Sequence, residues 1–220
     1  MLIQFTDFNA ANTVISSCQS ECDELISVLE SMPLHLKPSA QAGIQGNPIF
    51  DPIGTNEYIK TELLKRGWEK NIPIPKQYNF LGTDVDFGKL GLIGESQFSN
   101  YPFLLNNTIR AELFFKAKIK FGGQNTKLVF IITKAQMFPA SNSTLYYEQA
   151  IKQLKALAEY GVFDVPIRVL GLFEQVDKTV PVKWTLYGRE RSRIVTHQED
   201  IQCQISSKNK VSNRCVIRLM

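Results

Sequence analysis

The stretch TDVDFGKLGLIGESQFSNYPF, residues 83–103, contains two short runs with the composition of β-strands. The first run, 81–87, and the second, 92–98, are separated by the glycine-bounded segment Gly88–Gly91. Glycine suits the tight turns that join antiparallel strands. The stretch therefore predicts a β-hairpin.

Acidic and amide side chains recur every second residue in both runs of this hairpin. Because strand side chains alternate between faces, Asp84 and Asp86 point to one side, and Glu95 and Gln97 also share a side. Pairing of the two runs brings up to three carboxylates and one amide to a single patch. Buried carboxylates repel each other unless a cation neutralises them, so the pattern indicates a site for a hard divalent cation.

Spacing alone leaves two interpretations of this patch, a metal site and a solvated hairpin face. A nuclease would use Mg²⁺ there, because the ion acts as a Lewis acid and lowers the pKa of its bound water. Asp86 on one strand and Glu95 on the next supply the oxygen ligands that Mg²⁺ prefers. In such sites a lysine usually stands two residues after the second acid, where this chain has Gln97. Glutamine can orient water but carries no charge, so more of the work would fall on the metal.

The segments around the hairpin alternate between helical and strand-like patterns. Helical spacing occurs in four segments, 21–31, 55–67, 106–120 and 141–161. Capping residues place the starts of the last three at Thr55 or Asn56, at Asn107 or Thr108, and within Ser141–Ser143. Two continuous apolar runs, 128–133 and 165–173, predict buried strands, and the proline- and glycine-rich segment 33–54 predicts mostly loop. The order predicts a mixed central β-sheet flanked by helices, an α/β fold.

Charge is distributed unevenly along the 220 residues. Residues 178–220 hold nine Lys or Arg against three acids, a net +6, whereas residues 1–177 hold sixteen against eighteen, a net −2. The basic segment also alternates like a small β subdomain, so we divide the chain into a core, 1–175, and a basic β-rich part, 176–220. A basic segment on a near-neutral body suits a polyanionic partner such as DNA, although a solvated basic tail has the same composition.

The overall composition is that of a soluble globular protein. Hydrophobic residues make up 44% of the chain and charged residues 21%, and no apolar run is long enough to cross a membrane. The N-terminus lacks the pattern of a secretion signal, and we expect a cytoplasmic protein with reduced thiols. Cys18 and Cys22 have the spacing of half a zinc site, but no second ligand pair follows at usable spacing.

Long segments of the chain resemble the BglII-type restriction endonucleases, type II enzymes with a PD-(D/E)xK nuclease core in which Gln replaces the lysine. The resemblance runs from about residue 30 to residue 173 and is densest in MPLH, IFDPIGTNEYIK, NIPIPK, FLGTDVDFGK, QFSNYPFLLNNT, MFPASNS, LYYEQA and AEYGVFDVPIR. It implies a homodimeric, Mg²⁺-dependent enzyme that cuts both strands of a six-base palindrome, either AGATCT or a related site with GATC at its centre. A cognate DNA methyltransferase would protect the host DNA.

The resemblance also assigns the active site. It implies Asn71, Asp86, Glu95 and Gln97 as catalytic residues, with Asp86, Glu95 and the backbone carbonyl of Ser96 holding the metal. Asp84 then supports the site through hydrogen bonds. Asn71 has a simpler alternative, a loop residue that caps local backbone.

Base contacts follow from the same resemblance. They are expected from two pairs of residues, Ser99 with Asn100 and Asn142 with Ser143. Asparagine can bind adenine through two hydrogen bonds in the major groove, and serine is a compact donor or acceptor. Asn142 and Ser143 also stand where a helix cap belongs and would serve that purpose alone if they did not touch DNA.

One departure from the family pattern lies in the basic segment. The family has a base-reading tyrosine where Arg191 aligns, followed two residues later by a matching arginine, Arg193. An arginine at position 191 either prefers guanine or holds a phosphate. The segment is one residue shorter than in the family, so Tyr187 is an alternative replacement for that tyrosine.

Two other functions are compatible with the same pattern. One is a nuclease specific for DNA structure, such as a junction-resolving or repair enzyme, which would ignore linear palindromes. The other is a sequence-specific DNA-binding protein of the same fold with weak or no catalysis.

Overall fold

The structure, a computed structural model, describes residues 1–141, 144–188, 193–209 and 212–220. Within these residues the strands are β1 (Leu2–Phe8), β2 (Leu34–Pro38), β3 (Pro48–Phe50), β4 (Glu69–Pro73), β5 (Asp84–Lys89), β6 (Leu92–Ser96), β7 (Lys120–Phe121), β8 (Gln124–Asn125), β9 (Leu128–Lys134), β10 (Ile167–Phe173), β11 (Lys178–Tyr187), β12 (Val195–Ser207) and β13 (Cys215–Leu219). The α-helices are α1 (Ala11–Ile15), α2 (Gln19–Ser31), α3 (Pro52–Leu64), α4 (Phe103–Lys116) and α5 (Tyr147–Glu159), and a 3₁₀ helix covers Lys76–Leu81.

Two sheets dominate the fold. The first has the strand order β1-β10-β9-β6-β5-β4, with β6, β9 and β10 parallel to one another and the outer pairings antiparallel. The second has the order β13-β12-β11-β2-β3, and β7 and β8 form a separate ribbon. Mixed sheets flanked by helices confirm the predicted α/β class.

Strand β9 is buried on both faces of the first sheet. Leu128, Phe130 and Ile132 belong to a hydrophobic cluster shared with α2, α3 and the second sheet. Val129 and Ile131 belong to a cluster on the other face, shared with α4 and α5. The prediction of a central buried strand at 128–133 is therefore confirmed.

The predicted hairpin is formed by β5 and β6. Phe87 is paired with Gly94, and the chain reverses at Leu90 and Gly91, which have φ angles of 49° and 81°. A Cβ atom at Gly94 would lie 2.0 Å from the Phe87 ring, so only glycine lets this ring pack across the two strands. Close packing of the hairpin brings the ends of β5 and β6 together, where the acidic residues lie.

The second sheet combines strands from both segments of the predicted domain division. Strand β11 pairs in parallel with β2, with Val182 opposite Leu34. The division into 1–175 and 176–220 remains a prediction. The prediction of loop for 33–54 is wrong where β2 and β3 occur. Their prolines, Pro38 and Pro48, stand at strand ends, where a missing N–H is tolerated.

The start of α3 differs from the prediction. The helix begins at Pro52, three residues before Thr55 and four before Asn56, so both predicted caps are wrong. Asp51 is the cap, and its side chain accepts a hydrogen bond of 3.1 Å from the backbone N–H of Ile53. Proline in the first turn and aspartate before it are together a stronger start signal than threonine alone.

The starts of α4 and α5 also differ from the predictions. Helix α4 begins at Phe103, before Asn107 and Thr108, and the amide of Asn107 bonds to a residue that follows β6 instead of capping the helix. Helix α5 begins at Tyr147, after the predicted start within Ser141–Ser143, because the residue before it is extended and pairs with the end of β9. In the described part of the chain no helix is long and apolar enough to cross a bilayer.

Candidate active site

A cleft of about 850 Å³ lies between α3, the ends of β4, β5 and β6, and the second sheet. Its wall on the α3 side includes Lys60, and its floor includes Asn71, Asp84 and Asp86. The opposite wall comes from the second sheet and includes Arg193. A polar cleft with carboxylates at its floor and basic residues on its walls is a reasonable place for a polyanion.

Asp86 is one of the carboxylates that line this cleft. Its Oδ1 atom lies 2.7 Å from the Nζ atom of Lys60, and its Oδ2 atom accepts a hydrogen bond of 2.8 Å from the backbone N–H of Ser96. The second bond fixes the carboxylate against the end of β6. The backbone of Ser96, which was expected to supply a metal ligand, is therefore in direct contact with Asp86.

Glu95 is buried beside Asp86. Phe87 pairs with Gly94, so Asp86 and Glu95 are the next residues outward on the two strands, where side chains lie on the same face. Glu95 forms a buried ion pair with Arg110 of α4. Burial raises the pKa of Glu95 to about 8, Arg110 opposes that shift, and the nearby Asp86 adds to it. The structure thus brings the two predicted metal-binding carboxylates together.

Asn71 completes the floor of the cleft from β4. Its neighbours Lys70 and Ile72 pair with Phe87 and Val85, which places Asn71 across from Asp86. Its Oδ1 atom accepts a hydrogen bond of 2.8 Å from Lys60. Asn71 has a φ of 49°, a left-handed conformation that asparagine adopts more readily than most residues. The hydrogen bond from Lys60 connects the Asn71 side chain to the site.

Gln97 is buried and directs its side chain to the loop after β6. Its amide nitrogen donates to the backbone carbonyls of Ser99 and Asn100, the latter at 3.4 Å. Its amide oxygen accepts from Asn107 of α4 at 2.9 Å. Both ends of the amide are thus occupied, and Gln97 connects the acidic site to the loop that carries two predicted base contacts.

Three of the six predicted DNA contacts lie among the described residues. Ser99 lines the cleft, Asn100 is exposed with a φ of 50°, and Arg193 is exposed on the opposite wall. The other three, Asn142, Ser143 and Arg191, lie outside the described residues.

The alternative reader Tyr187 donates its hydroxyl hydrogen to Asp51 at the start of α3, with 2.6 Å between the oxygen atoms. Burial and this bond raise the pKa of Tyr187. The hydroxyl is thereby directed at the protein.

A buried lysine connects the segments that flank both predicted pairs of base readers. Lys134, at the end of β9, donates to the backbone carbonyl of Phe98, to the hydroxyl of Thr144 and to the carbonyl of Leu145 at 3.3 Å. The Thr144 hydroxyl also donates to the Phe98 carbonyl at 2.8 Å. Burial lowers the pKa of Lys134 to about 7. Phe98 immediately precedes one predicted pair of base-contacting residues, and Thr144 immediately follows the other.

Two functional candidates escaped the sequence reasoning, Lys60 and Arg110. Both are cations on helices that contact the acidic pair across the fold. Lys60 falls in IFDPIGTNEYIK, one of the segments that resemble the family, and this was the available signal. Nothing in the local spacing of Arg110 indicates its contact with Glu95.

Comparisons with known proteins agree with one another. A protein-family model described as restriction endonuclease BglII/BglIII matches residues 3–172. The chain is 49% identical over 215 residues to the type II restriction enzyme BglII of Bacillus subtilis, which covers 97% of this chain and 96% of the relative.

Solved structures give the same result. A crystal structure of BglII complexed with a DNA 16-mer matches over 100% of both chains, with a TM-score of 0.95 and 47% identity. A crystal structure of free BglII matches over 100% of both chains with a TM-score of 0.76 and 46% identity. The arrangement described above is therefore more similar to the DNA-bound form than to the free form.

Proposed function

Because the chain belongs to the BglII/BglIII restriction endonuclease family, it is a type II site-specific deoxyribonuclease, and we propose that it cuts AGATCT with Mg²⁺ as its cofactor. The observation that supports this proposal best is the adjacency of Asp86, at the floor of a cleft with basic residues on its walls, to the buried Glu95. Hydrolysis of a phosphodiester at that position needs a cation between the carboxylates and the phosphate.

The residues present fit Mg²⁺. The ion is typically held by one or two carboxylates together with waters and substrate phosphate oxygens. Asp86 and Glu95 provide two carboxylates, and the resemblance to the family adds the carbonyl of Ser96. Among the described residues no group of three or more His, Cys, Asp or Glu is arranged to hold a metal ion. When bound, Mg²⁺ supplies a water of lowered pKa and offsets the charge that grows on the phosphate.

The remaining active-site residues hold this arrangement in place. Asn71 orients Lys60 through its side-chain oxygen, and the backbone N–H of Ser96 orients Asp86. Gln97, although predicted as catalytic, contributes by positioning, because its amide holds the backbone of Ser99 and Asn100. Base recognition at that loop is thereby linked to the strand that carries Glu95.

Sequence recognition is assigned to the loops around the cleft. Ser99 and Asn100 follow β6, and Asn142 and Ser143 precede Thr144 in the chain. We assign base contacts to both pairs and contacts with bases or phosphates to Arg191 and Arg193. The basic part, 176–220, then forms the DNA-contacting wall, with the nuclease core in 1–175.

A homodimer is the expected assembly, since a twofold protein matches a twofold palindrome. Around α4, four large apolar or aromatic side chains are 44–50% exposed: Tyr101, Phe103, Leu105 and Ile109. An apolar group of this kind suits burial against a second copy of the chain. We expect the enzyme to act in the cytoplasm beside a cognate DNA methyltransferase.

Replacing Lys134 with methionine is expected to weaken discrimination between AGATCT and sites that differ by one base pair. Methionine fills the space but loses the hydrogen bonds to Phe98 and Thr144, so the selectivity ratio should fall about tenfold. Cleavage rates on matched oligonucleotides measure the ratio. The control is Lys127→Met, at the residue immediately before the start of β9. Unchanged selectivity in K134M would contradict the role given to Lys134.

The proposed function is tested by incubating the purified protein with phage DNA and Mg²⁺. Discrete fragments are expected, their ends should map to AGATCT when sequenced, and EDTA should abolish them. A smear, or cleavage only at branched substrates, would contradict a site-specific restriction activity. Discrete fragments with ends at another sequence would retain the activity and overturn the assigned palindrome.

A further inference from the structure

Lys60 is a buried lysine whose charged end faces the active-site cleft. It lies on α3, its side chain is 10% exposed, and its Nζ atom contacts Asp86 at 2.7 Å and Asn71 at 2.8 Å. An ammonium group has three N–H donors, so these two contacts leave a third for a ligand in the cleft. Burying a lysine costs free energy unless its charge is paired and hydrogen-bonded, so the contacts made by this ammonium group matter.

The position at which the nuclease pattern places a lysine cannot provide that charge here. Gln97 is neutral, and its amide is engaged with the backbone of Ser99 and Asn100 and with Asn107. The site therefore needs a cation from elsewhere in the fold if a positive group is to face the phosphate.

Of the two cations that contact the acidic pair among the described residues, Lys60 is the one that lines the cleft. Arg110 is committed to the protein interior. It is paired with Glu95, and it donates to the backbone carbonyl of Asp84 at 3.2 Å and to that of Leu81 at 3.5 Å. Arg110 thus neutralises a buried carboxylate, whereas Lys60 is available to substrate.

We propose that Lys60 is a catalytic residue that supplies, from α3, the positive charge that position 97 lacks. The inference rests on the proposed function. In the metal-free protein its ammonium group forms an ion pair with Asp86. With Mg²⁺ and DNA present it contacts the scissile phosphate or the attacking water, where a fixed positive charge stabilises the charge that develops during hydrolysis.

The test compares Lys60→Met, Lys60→Arg and a control, Lys65→Met, in the full-length protein. Lys65 caps the same helix at its exposed C-terminal end. Under single-turnover conditions with saturating Mg²⁺, K60M should cleave AGATCT about 100-fold more slowly than the unchanged protein. K60R keeps the charge and should stay within about tenfold, and K65M should match the unchanged protein.

A second measurement separates catalysis from metal binding. Mn²⁺ binding to the DNA-free protein, followed by electron paramagnetic resonance, should be a few-fold tighter in K60M, since a competing cation has been removed from Asp86. Tighter metal binding together with slower cleavage is the expected combination. If K60M does not fold, as judged by circular dichroism, Lys60→Gln takes its place.

Two outcomes would overturn the inference. K60M could cleave within about threefold of the unchanged protein, far from the loss expected for one charged donor. Alternatively, K60M could bind Mn²⁺ more weakly than the unchanged protein and recover its cleavage rate as the Mg²⁺ concentration is raised, which would show that Lys60 supports metal binding instead of acting on the phosphate or the attacking water. Neither outcome affects the proposed function, which the fragments made by the unchanged protein decide separately.

Discussion

Replacing Asp86 with asparagine is expected to lower the rate of DNA cleavage about a thousand-fold, equivalent to about 4 kcal/mol of transition-state stabilisation. Asparagine has nearly the same shape and still accepts a hydrogen bond from Lys60, but it lacks the charge that attracts Mg²⁺. Single-turnover cleavage of an AGATCT duplex measures the effect. Thermal unfolding of the metal-free variant should show a modest loss of stability at most, because Lys60 loses its ion pair while the repulsion between Asp86 and Glu95 is relieved.

DNA affinity separates a catalytic loss from a binding loss in this variant. Asp86→Asn removes a negative charge from the floor of the cleft, so DNA binding without metal should be equal or tighter. The matched control is Asp23→Asn, an exposed aspartate on α2 that bonds to Gln19. A cleavage rate for D86N within tenfold of that of the control would contradict the assignment of Asp86 to the metal site.

Replacing Arg110 with methionine is expected to destabilise the protein and abolish cleavage together. The variant leaves Glu95 buried without its partner, and breaking one side of a buried ion pair costs roughly 3–5 kcal/mol. Urea unfolding of the metal-free protein measures the loss of stability. Cleavage should be lost because, without Arg110, the pKa of Glu95 rises further and the protonated carboxyl does not bind Mg²⁺.

The double variant Glu95→Gln/Arg110→Met supplies the control for this prediction. It removes both buried charges, so most of the lost free energy of unfolding should return, as it does when a complete buried pair is replaced. Cleavage should remain absent because one metal ligand is missing. A double variant as unstable as R110M would show that Arg110 stabilises the fold through its backbone contacts instead of through Glu95.

The strands that position the site were predictable because their signals are local. The β5–β6 hairpin follows from glycine at its turn and alternation along its strands, and β9 follows from six consecutive apolar or β-branched residues, Leu128–Thr133. Strands β2 and β3 were missed, since prolines and glycines around them resemble a loop. The pairing of β2 with β11, distant in the chain, is set by tertiary packing.

The acidic pair was predictable for the same reason, whereas its cations were not. Asp86 and Glu95 lie on adjacent strands of one hairpin, so their proximity follows from register. Lys60 and Arg110 reach the pair from α3 and α4, and no local pattern encodes how a helix side chain meets a sheet edge. The direction of the Gln97 amide likewise depends on Asn107, ten residues away on α4.

An anomalous-scattering map of a crystal of the protein with AGATCT duplex and Mn²⁺ would locate the catalytic ion directly. We expect one strong peak bound by oxygen atoms of Asp86 and Glu95, with the carbonyl of Ser96, a phosphate oxygen and waters as its other ligands. A peak bound by neither carboxylate, or by carboxylates elsewhere in the cleft, would contradict the assignment of the metal to the β5–β6 hairpin.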